Sequence, residues 1–143
     1  MNFVLDASVT MTWLLGDAKA ADRNHAQSAL EALKQVDSHA EVPVTWSLEV
    51  SNVIARAEAK GLLLEAQSEA FLEMLSSAPI RADGATFAQA LDSTLNLARR
   101  YRLSAYDASY LELALRSGLP LATLDADLAK AARKAGVRRF TSR

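Results

Sequence analysis

Short apolar runs alternate with longer amphipathic segments along most of this 143-residue chain. The apolar runs that predict strands are Phe3–Leu5, Glu41–Val44, Pro79–Ala82, Leu119–Leu124 and Val137–Phe140, although Pro79–Ala82 could equally be a connection. Strands that are separated by helices need crossover connections, which make the strands parallel and cover the sheet with helices. The alternation therefore predicts an α/β fold, a three-layer α/β/α domain with a short, mainly parallel sheet.

The intervening segments repeat apolar residues every three to four positions, as helices that bury one face do. Glycine follows several of them, which is common where a helix ends. The predicted helices are Ala7–Leu15, Ala18–Val36, Trp46–Lys60, Glu65–Ser77, Thr86–Arg102, Tyr106–Ser117 and Asp125–Ala135. No repeat or linker-like stretch divides these segments, so residues 1–143 are predicted to form a single domain.

Composition excludes several classes of protein. The chain contains no cysteine, which rules out disulfide frameworks, thiolate zinc sites, iron–sulfur clusters and cysteine nucleophiles. Its five glycines form neither a P-loop nor a dinucleotide-binding fingerprint. The N-terminus has no basic segment, and Asp6 interrupts its apolar run, so we expect neither a secretory signal nor a membrane span. A soluble, cytoplasmic protein without a membrane partner is the expectation.

Two aspartates directly follow the clearest strand candidates. Asp6 comes after Phe3–Leu5, and Asp125 comes after Leu119–Leu124. Parallel sheets bind ligands outside the carboxyl ends of their strands, so both aspartates are candidate site residues. The alternative is a purely structural role, because Asp is also a favoured N-cap of helices. The spacing alone leaves both interpretations open.

Asp107 lies on an apolar helix face, which it shares with Tyr110, Leu111 and Ala114. A carboxylate on a face that should meet the core is costly unless it is paired or bound to a metal. A capping-box role is the equally weighted alternative, because Ser104 lies three positions earlier.

Glu49 interrupts the apolar face that Trp46, Val50 and Val53 form. Its alternative role is that of a rim carboxylate whose stem covers apolar surface and whose partner is Arg56.

If the fold brings the four acids together, they indicate a metal site, because clustered carboxylates repel one another unless a divalent ion is present. Oxygen ligands in a chain without cysteine favour Mg²⁺ or Mn²⁺ over Zn²⁺. The two histidines, His25 and His39, lie in polar surroundings and are expected to face solvent.

Three sequence segments contain these four acids, and each combines them with other characteristic residues. The first is FVLDASVTMTWLL, with an apolar strand, Asp6, a hydroxyl residue two positions later and a Trp-containing helix. The next is SLEVSNVIARAEAKG, with Glu49 and Asn52, and the last is LSAYDASYLELALRSGLPLATLDADL, with Asp107 and Asp125. In this order they resemble the four motifs of PIN-domain ribonucleases, and especially of the VapC toxins of bacterial toxin–antitoxin pairs.

The resemblance implies Mg²⁺- or Mn²⁺-dependent endonucleolytic cleavage of RNA by a compact α/β/α domain. The implied catalytic and metal-binding residues are Asp6, Glu49, Asp107 and Asp125. The implied accessory residues are Ser8, Asn52 and Thr123. Asp127 is an additional acid, either a further contributor or an exposed first-turn residue. The resemblance also implies a VapB-like antitoxin partner and assembly as a homodimer or a toxin–antitoxin hetero-oligomer.

The net charge of −1 is unevenly distributed: residues 1–98 carry −7 and residues 99–143 carry +6. A nuclease needs positive charge beside an acidic metal site, because RNA phosphates must bind there. The alternative is a solvated helix face or tail. The predicted RNA-binding residues are Arg99, Arg100, Arg102, Lys134, Arg138 and Arg139.

Two other functions remain open at this stage. A non-catalytic RNA-binding module of the same fold would use the acids only as helix caps. An Asp-based phosphatase or phosphoacceptor would use Asp6 as its nucleophile, but a second Asp is missing from the Asp6-Ala7-Ser8 step.

Overall fold

The computed structural model describes residues 1–16 and 18–142. One sheet contains four strands in the order β3-β2-β1-β4, and every neighbouring pair is parallel. The strands are β1 (Phe3–Leu5), β2 (Ala40–Val42), β3 (Ile80–Ala82) and β4 (Leu121–Ala122). The predicted parallel sheet is confirmed, because helices connect each strand to the next.

The helices match the predicted segments closely, apart from α2, which is shorter at both ends. They are α1 (Ala7–Leu15), α2 (Ala20–Leu33), α3 (Thr45–Ala59), α4 (Glu65–Ser77), α5 (Thr86–Gln89), α6 (Leu95–Tyr101), α7 (Ala105–Ser117) and α8 (Ala126–Lys134). A π-helical segment, Ala90–Thr94, joins α5 to α6. Within the described ranges, no helix is both long and apolar enough to cross a membrane.

Strand β4 is two residues long, shorter than predicted, because the chain beyond it bonds to side chains. The amide of Leu124 donates to Ser8 Oγ at 3.0 Å, and the amide of Asp125 donates to Thr123 Oγ1 at 3.0 Å. These donors are therefore lost to the sheet, and the sheet ends where the candidate site residues begin.

The last predicted strand, Val137–Phe140, is wrong except for a single bridge between Arg139 and Leu121. The amide of Val137 closes the end of α8 by donating to Ala132 O at 2.8 Å, so little chain remains for strand pairing. The segment contributes to the core instead: the centroid of the Phe140 ring lies 4.4 Å from the centroid of the Phe3 ring.

The two faces of the sheet pack on different helices, which confirms the three layers. Side chains alternate along a strand, so Phe3 and Leu5 of β1 pack with α2, whereas Val4 packs with α7 and α8. All three side chains are fully buried. A third cluster joins α1, α3 and α4 through residues such as Met11 and Phe71. The carboxyl end of β1 is thus held rigidly between two helical layers.

The expectation that His25 faces solvent is wrong. His25 is buried on α2 and packs edge-on against Phe140. Its apolar neighbours lie far along the chain, so the polar local sequence did not predict this burial. His39 is half-buried, and its Nε2 atom lies 3.1 Å from Glu41 Oε2.

Candidate active site

Asp6 is the first residue after β1 and is almost completely buried, with 4% of its surface exposed. Two hydroxyls donate hydrogen bonds to its Oδ2 atom, Ser8 Oγ at 2.5 Å and Thr123 Oγ1 at 2.7 Å. Asp6 occupies the N-cap position of α1, yet its side chain makes no capping hydrogen bond. A capping role therefore does not account for Asp6.

Asp125 occupies the corresponding position after β4, and it does cap its helix. Its Oδ1 atom accepts a hydrogen bond from the Leu128 amide at 2.9 Å at the start of α8. Burial raises the pKa of Asp6, hydrogen bonds from Ser8 and Thr123 oppose that rise, and the negative charge of Asp125 adds to it. The two carboxylates therefore lie within electrostatic range of each other.

Asp107 lies half-buried in the first turn of α7. Its amide donates to Ser104 Oγ at 3.0 Å, which caps the helix. The capping box is incomplete, however, because among the described hydrogen bonds the Asp107 carboxylate accepts none from the Ser104 amide. Burial and the negative charges around the carboxylate raise the pKa of Asp107 to about 6. The acids that contribute these charges are Asp125, Asp6, Glu49 and Asp127.

Glu49 lies half-buried on α3, where its Oε1 atom accepts a hydrogen bond of 2.6 Å from the Tyr110 hydroxyl. Burial raises the pKa of Glu49, the hydrogen bond from Tyr110 opposes the rise, and the charge of Asp6 adds to it. In the described part of the chain no ion pair joins Glu49 to Arg56, so the expected Arg56 partner is wrong.

Tyr110 belongs to the site although sequence reasoning gave it only a place on the α7 face. Its side chain is fully buried, and burial together with the charges of Asp6 and Glu49 raises the pKa of its hydroxyl far above the usual range. The hydroxyl therefore remains a hydrogen-bond donor at every physiological pH. The available signal was its spacing, because Tyr110 lies one helical turn after Asp107.

The structure thus gathers four carboxylates whose charges act on one another. None of the four forms an ion pair with a cation of residues 1–16 or 18–142. The donors are oxygen atoms, which suit a hard divalent ion such as Mg²⁺ or Mn²⁺. As the side chains stand, however, no three acidic or histidine groups in the described ranges are close enough to hold one ion together. The chemistry of the donor set fits a hard divalent ion, and the spacing of the described carboxylates is too wide for three of them to hold one ion as they stand.

Two further predicted residues lie at the edge of this cluster. Asp127 is exposed on α8, and its charge contributes to the raised pKa of Asp107. Asn52 is exposed on α3, one turn after Glu49, and has no side-chain hydrogen bond among the described residues.

The predicted RNA-binding residues divide into three groups. Arg100, Arg102 and Lys134 line a groove of about 390 Å³ between α6 and α8. We call it the α6–α8 groove, and its lining residues are Arg100, Tyr101, Arg102, Asp127, Lys130, Ala131 and Lys134. Arg138 and Arg139 line a separate cavity behind α8. The guanidinium of Arg99 lies 3.4 Å from Asn96 Oδ1 on its own helix.

Comparison with known proteins identifies the family. The pattern of the PIN domain family matches residues 3–134, so this chain belongs to that family. A solved crystal structure from Pyrobaculum aerophilum superimposes with a TM-score of 0.65 at 24% identity, covering 92% of this chain and 79% of that chain. This similarity shows a shared fold, and the predicted fold and family are both confirmed.

Relatives of known name cover almost the whole chain. A protein named Ribonuclease VapC3 from Mycobacterium tuberculosis is 36% identical over 130 residues, which are 90% of this chain and 85% of that protein. A protein of the same name from Pyrobaculum aerophilum is 28% identical over 130 residues, which are 91% of this chain and 94% of that protein.

Proposed function

We propose that this protein is a divalent-metal-dependent endoribonuclease and the toxin of a toxin–antitoxin pair. The observation that carries the proposal is the buried Asp6 carboxylate, which two hydroxyls hold among three other acids, with no lysine or arginine of residues 1–16 or 18–142 paired to any of the four. The relatives named Ribonuclease VapC3 support the same activity. The alternative of a non-catalytic module that uses its acids as caps does not account for Asp6.

The metal ligands would be Asp6, Glu49, Asp107 and Asp125, and Mg²⁺ or Mn²⁺ is the expected ion. A metal held by these carboxylates would supply Lewis-acid polarisation of the scissile phosphate and would lower the pKa of a nearby water. Ser8 and Thr123 fix one oxygen of Asp6 and leave Oδ1 available as a ligand.

Two residues prepare the other carboxylates in the same way. Tyr110 occupies Oε1 of Glu49 and leaves Oε2 available. The Leu128 amide occupies Oδ1 of Asp125, so this acid combines its capping role with a free oxygen. Attack by water, without the 2′-hydroxyl of RNA, would leave a 5′-phosphate on the product.

A VapB-like antitoxin is the proposed partner, and a homodimer or a toxin–antitoxin hetero-oligomer is the proposed assembly. Exposed apolar side chains support a partner surface: Leu48 is 73% exposed, Phe87 88% and Leu91 89%. A contiguous apolar patch in water is typical of a surface that another protein covers, and Phe87 and Leu91 lie four residues apart in one helical stretch. An RNA substrate would place the activity in the cytoplasm.

Cleavage of a defined RNA by Asp6→Asn tests the proposal directly. We expect the rate to fall about 1000-fold, because a metal ligand and the transition-state stabilisation it supports are lost. Asp92→Asn, an exposed acid of the π-helical segment, is the matched control and should cleave normally. Full activity of Asp6→Asn would refute the site assignment, and cleavage that survives EDTA would refute the metal. Adding back Mg²⁺ or Mn²⁺ separately identifies the preferred ion.

A further inference from the structure

The α6–α8 groove concentrates positive charge from two separate helices. Arg100 and Arg102 lie at the carboxyl end of α6, and Lys130 and Lys134 lie on α8. The two lysines are four residues apart and therefore project from the same face of the helix. All four side chains belong to exposed residues. A groove of about 390 Å³ with this lining presents cations to a ligand from both of its sides.

The stability of the fold does not explain this concentration of charge. Like charges four residues apart on a helix destabilise it slightly. Within the described ranges, none of the four cations lies within ion-pair distance of an acid. Arg100 instead lies over the Tyr101 ring, with its guanidinium carbon 5.6 Å from the ring centroid, a contact that leaves its N–H donors free for an anion.

The groove adjoins the carboxylate cluster through helix α8. Asp125 caps the start of this helix, and Asp127 in its first turn lines the groove. Asp127 lies only two residues after Asp125, so the first turn of α8 joins the groove to the cluster. An extended anion that occupies the groove can therefore continue into the cluster.

We propose that the α6–α8 groove binds the backbone phosphates of single-stranded RNA immediately beside the bond that is cut. This inference rests on the proposed ribonuclease function and narrows the predicted RNA-binding set. It adds Lys130 to Arg100, Arg102 and Lys134, and it leaves Arg99, Arg138 and Arg139 outside the track. Lysine and arginine bind phosphates as charges and hydrogen-bond donors, so the groove selects the backbone rather than a base sequence.

RNA is favoured over an acidic protein segment because the groove continues into a site that must receive a phosphodiester. Tyr101 provides an aromatic ring in the groove, but Arg100 covers it, so base stacking contributes little. Binding in the groove should therefore depend steeply on salt and weakly on sequence.

The test measures binding without cleavage. Fluorescence anisotropy of a labelled, unstructured RNA oligonucleotide is titrated in EDTA at several salt concentrations, with the full-length wild type and Lys130→Gln/Lys134→Gln. Each lost phosphate contact should reduce the slope of log K against log salt by about 0.7, so the pair loses about 1.4. At about 0.1 M salt this corresponds to roughly 25-fold weaker binding. The control pair, Lys60→Gln/Arg81→Gln, removes the same charge from exposed residues outside the groove.

We expect the control pair to change affinity by less than about twofold, because distant surface charges are screened. Unchanged binding by the groove pair overturns the proposal, and so does an equal loss in the control pair. A polyglutamate peptide that displaces RNA as well as unlabelled RNA does would overturn the assignment to RNA. Different results would reject the inference and the proposed function. Normal groove binding without any cleavage rejects the function alone, whereas normal cleavage with unchanged binding and KM in the groove pair rejects the inference alone.

Discussion

Two clusters of acidic side chains lie beyond the carboxyl ends of strands in this sheet, and they differ in whether the chain supplies a cation. Asp83 follows β3 as Asp6 follows β1. Arg116 of α7 donates to both oxygens of Asp83, at 3.0 and 2.7 Å, and to both oxygens of Glu112, at 2.7 and 2.9 Å. In the described chain, no cation plays this part for Asp6.

The acids respond in opposite directions. Hydrogen bonds from Arg116 hold the pKa of Asp83 below its ordinary value despite partial burial. Burial raises the pKa of Asp6, Glu49 and Asp107, and the neighbouring acids add to each rise. An acid cluster with its own arginine is complete as a structural element. A cluster without one stores repulsion that a cation from solution can relieve, which is why we assign the function to the second cluster.

Arg116→Ala should have the largest effect on stability. It leaves Asp83 and the buried Glu112 without their shared cation, and although Arg116 is itself exposed, leaving the charge of a buried carboxylate unpaired costs up to about 3 kcal/mol. Urea denaturation measures the change in the free energy of unfolding. Arg56→Ala on α3 is the control, because Arg56 is exposed and has no described ion pair. Equal stability of the two variants would show that the arginine cluster is not structural.

Mg²⁺ should stabilise the folded wild type, because it binds the native carboxylates and not the unfolded chain. At about 100 times its Kd, the ion should add about 2.7 kcal/mol to the free energy of unfolding. Calorimetry with and without Mg²⁺ should show this gain in Asp83→Asn as well, and show its loss in Asp6→Asn. If Mg²⁺ stabilises Asp6→Asn as much as the wild type, the two clusters do not differ as proposed.

The contrast between Asp6 and Asp125 shows how far sequence alone leads. Both follow apolar runs and precede helices, and the sequence left both as either caps or site residues. The structure separates them through Thr123, whose hydroxyl reaches Asp6 from 117 positions away. Local spacing carries no information about such a contact, whereas the strand, the helix and the acid after it are all locally encoded.

The same limit applies to the arginine cluster. Glu112 and Arg116 are four residues apart on one helix, so their pairing is readable from spacing. Asp83 joins them from 33 positions away, which only the fold decides. The excess strand length predicted at Val137–Phe140 has a local origin instead, because the amide of Val137 bonds to Ala132 O, five residues earlier, and closes α8.

Tyr110→Phe should have a smaller effect on stability. It should also weaken Mg²⁺ binding, which we expect only at the cluster that contains Asp6. The ring still fills the core, but Glu49 loses its 2.6 Å hydrogen bond and its fixed orientation. A lost hydrogen bond costs about 1 kcal/mol, and loss of a group that orients a metal ligand weakens metal binding about tenfold. Isothermal titration with Mg²⁺ measures the affinity. Tyr106→Phe, an exposed neighbour, is the control and should bind Mg²⁺ normally.

Unchanged Mg²⁺ affinity in Tyr110→Phe would contradict the orienting role of the hydroxyl. A lower free energy of unfolding without any change in Mg²⁺ affinity would assign Tyr110 to the core alone. Either result would confine the metal cluster to its carboxylates.

The smallest expected effect is the dependence of metal-free stability on pH, and its sign differs between the clusters. The pKa of Asp107 is about 6 in the folded protein and about 3.9 in an unfolded chain. The folded state therefore holds this proton more tightly. The stabilisation is fully present below about pH 3.9 and is lost as the pH rises through about 6. Asp83 behaves oppositely, because its pKa is lowered and its contribution disappears only as the pH falls below its unfolded value.

Urea midpoints in EDTA between about pH 5 and 7 exclude Asp83, which stays ionised in both states there. Burial lowers the pKa of His25, so His25 contributes a slope of the opposite sign in this range, and the carboxylate slope is read from the difference between the wild type and Asp107→Asn. The wild type should lose more stability than Asp107→Asn as the pH rises. Some slope should remain in the variant, because the raised pKa of Asp6 and of Glu49 acts in the same direction. Asp83→Asn should keep the full wild-type slope. An equal pH dependence in the wild type and in Asp107→Asn would mean that the neighbouring charges do not raise the pKa of Asp107, and the reason for expecting a metal among the four carboxylates would be lost.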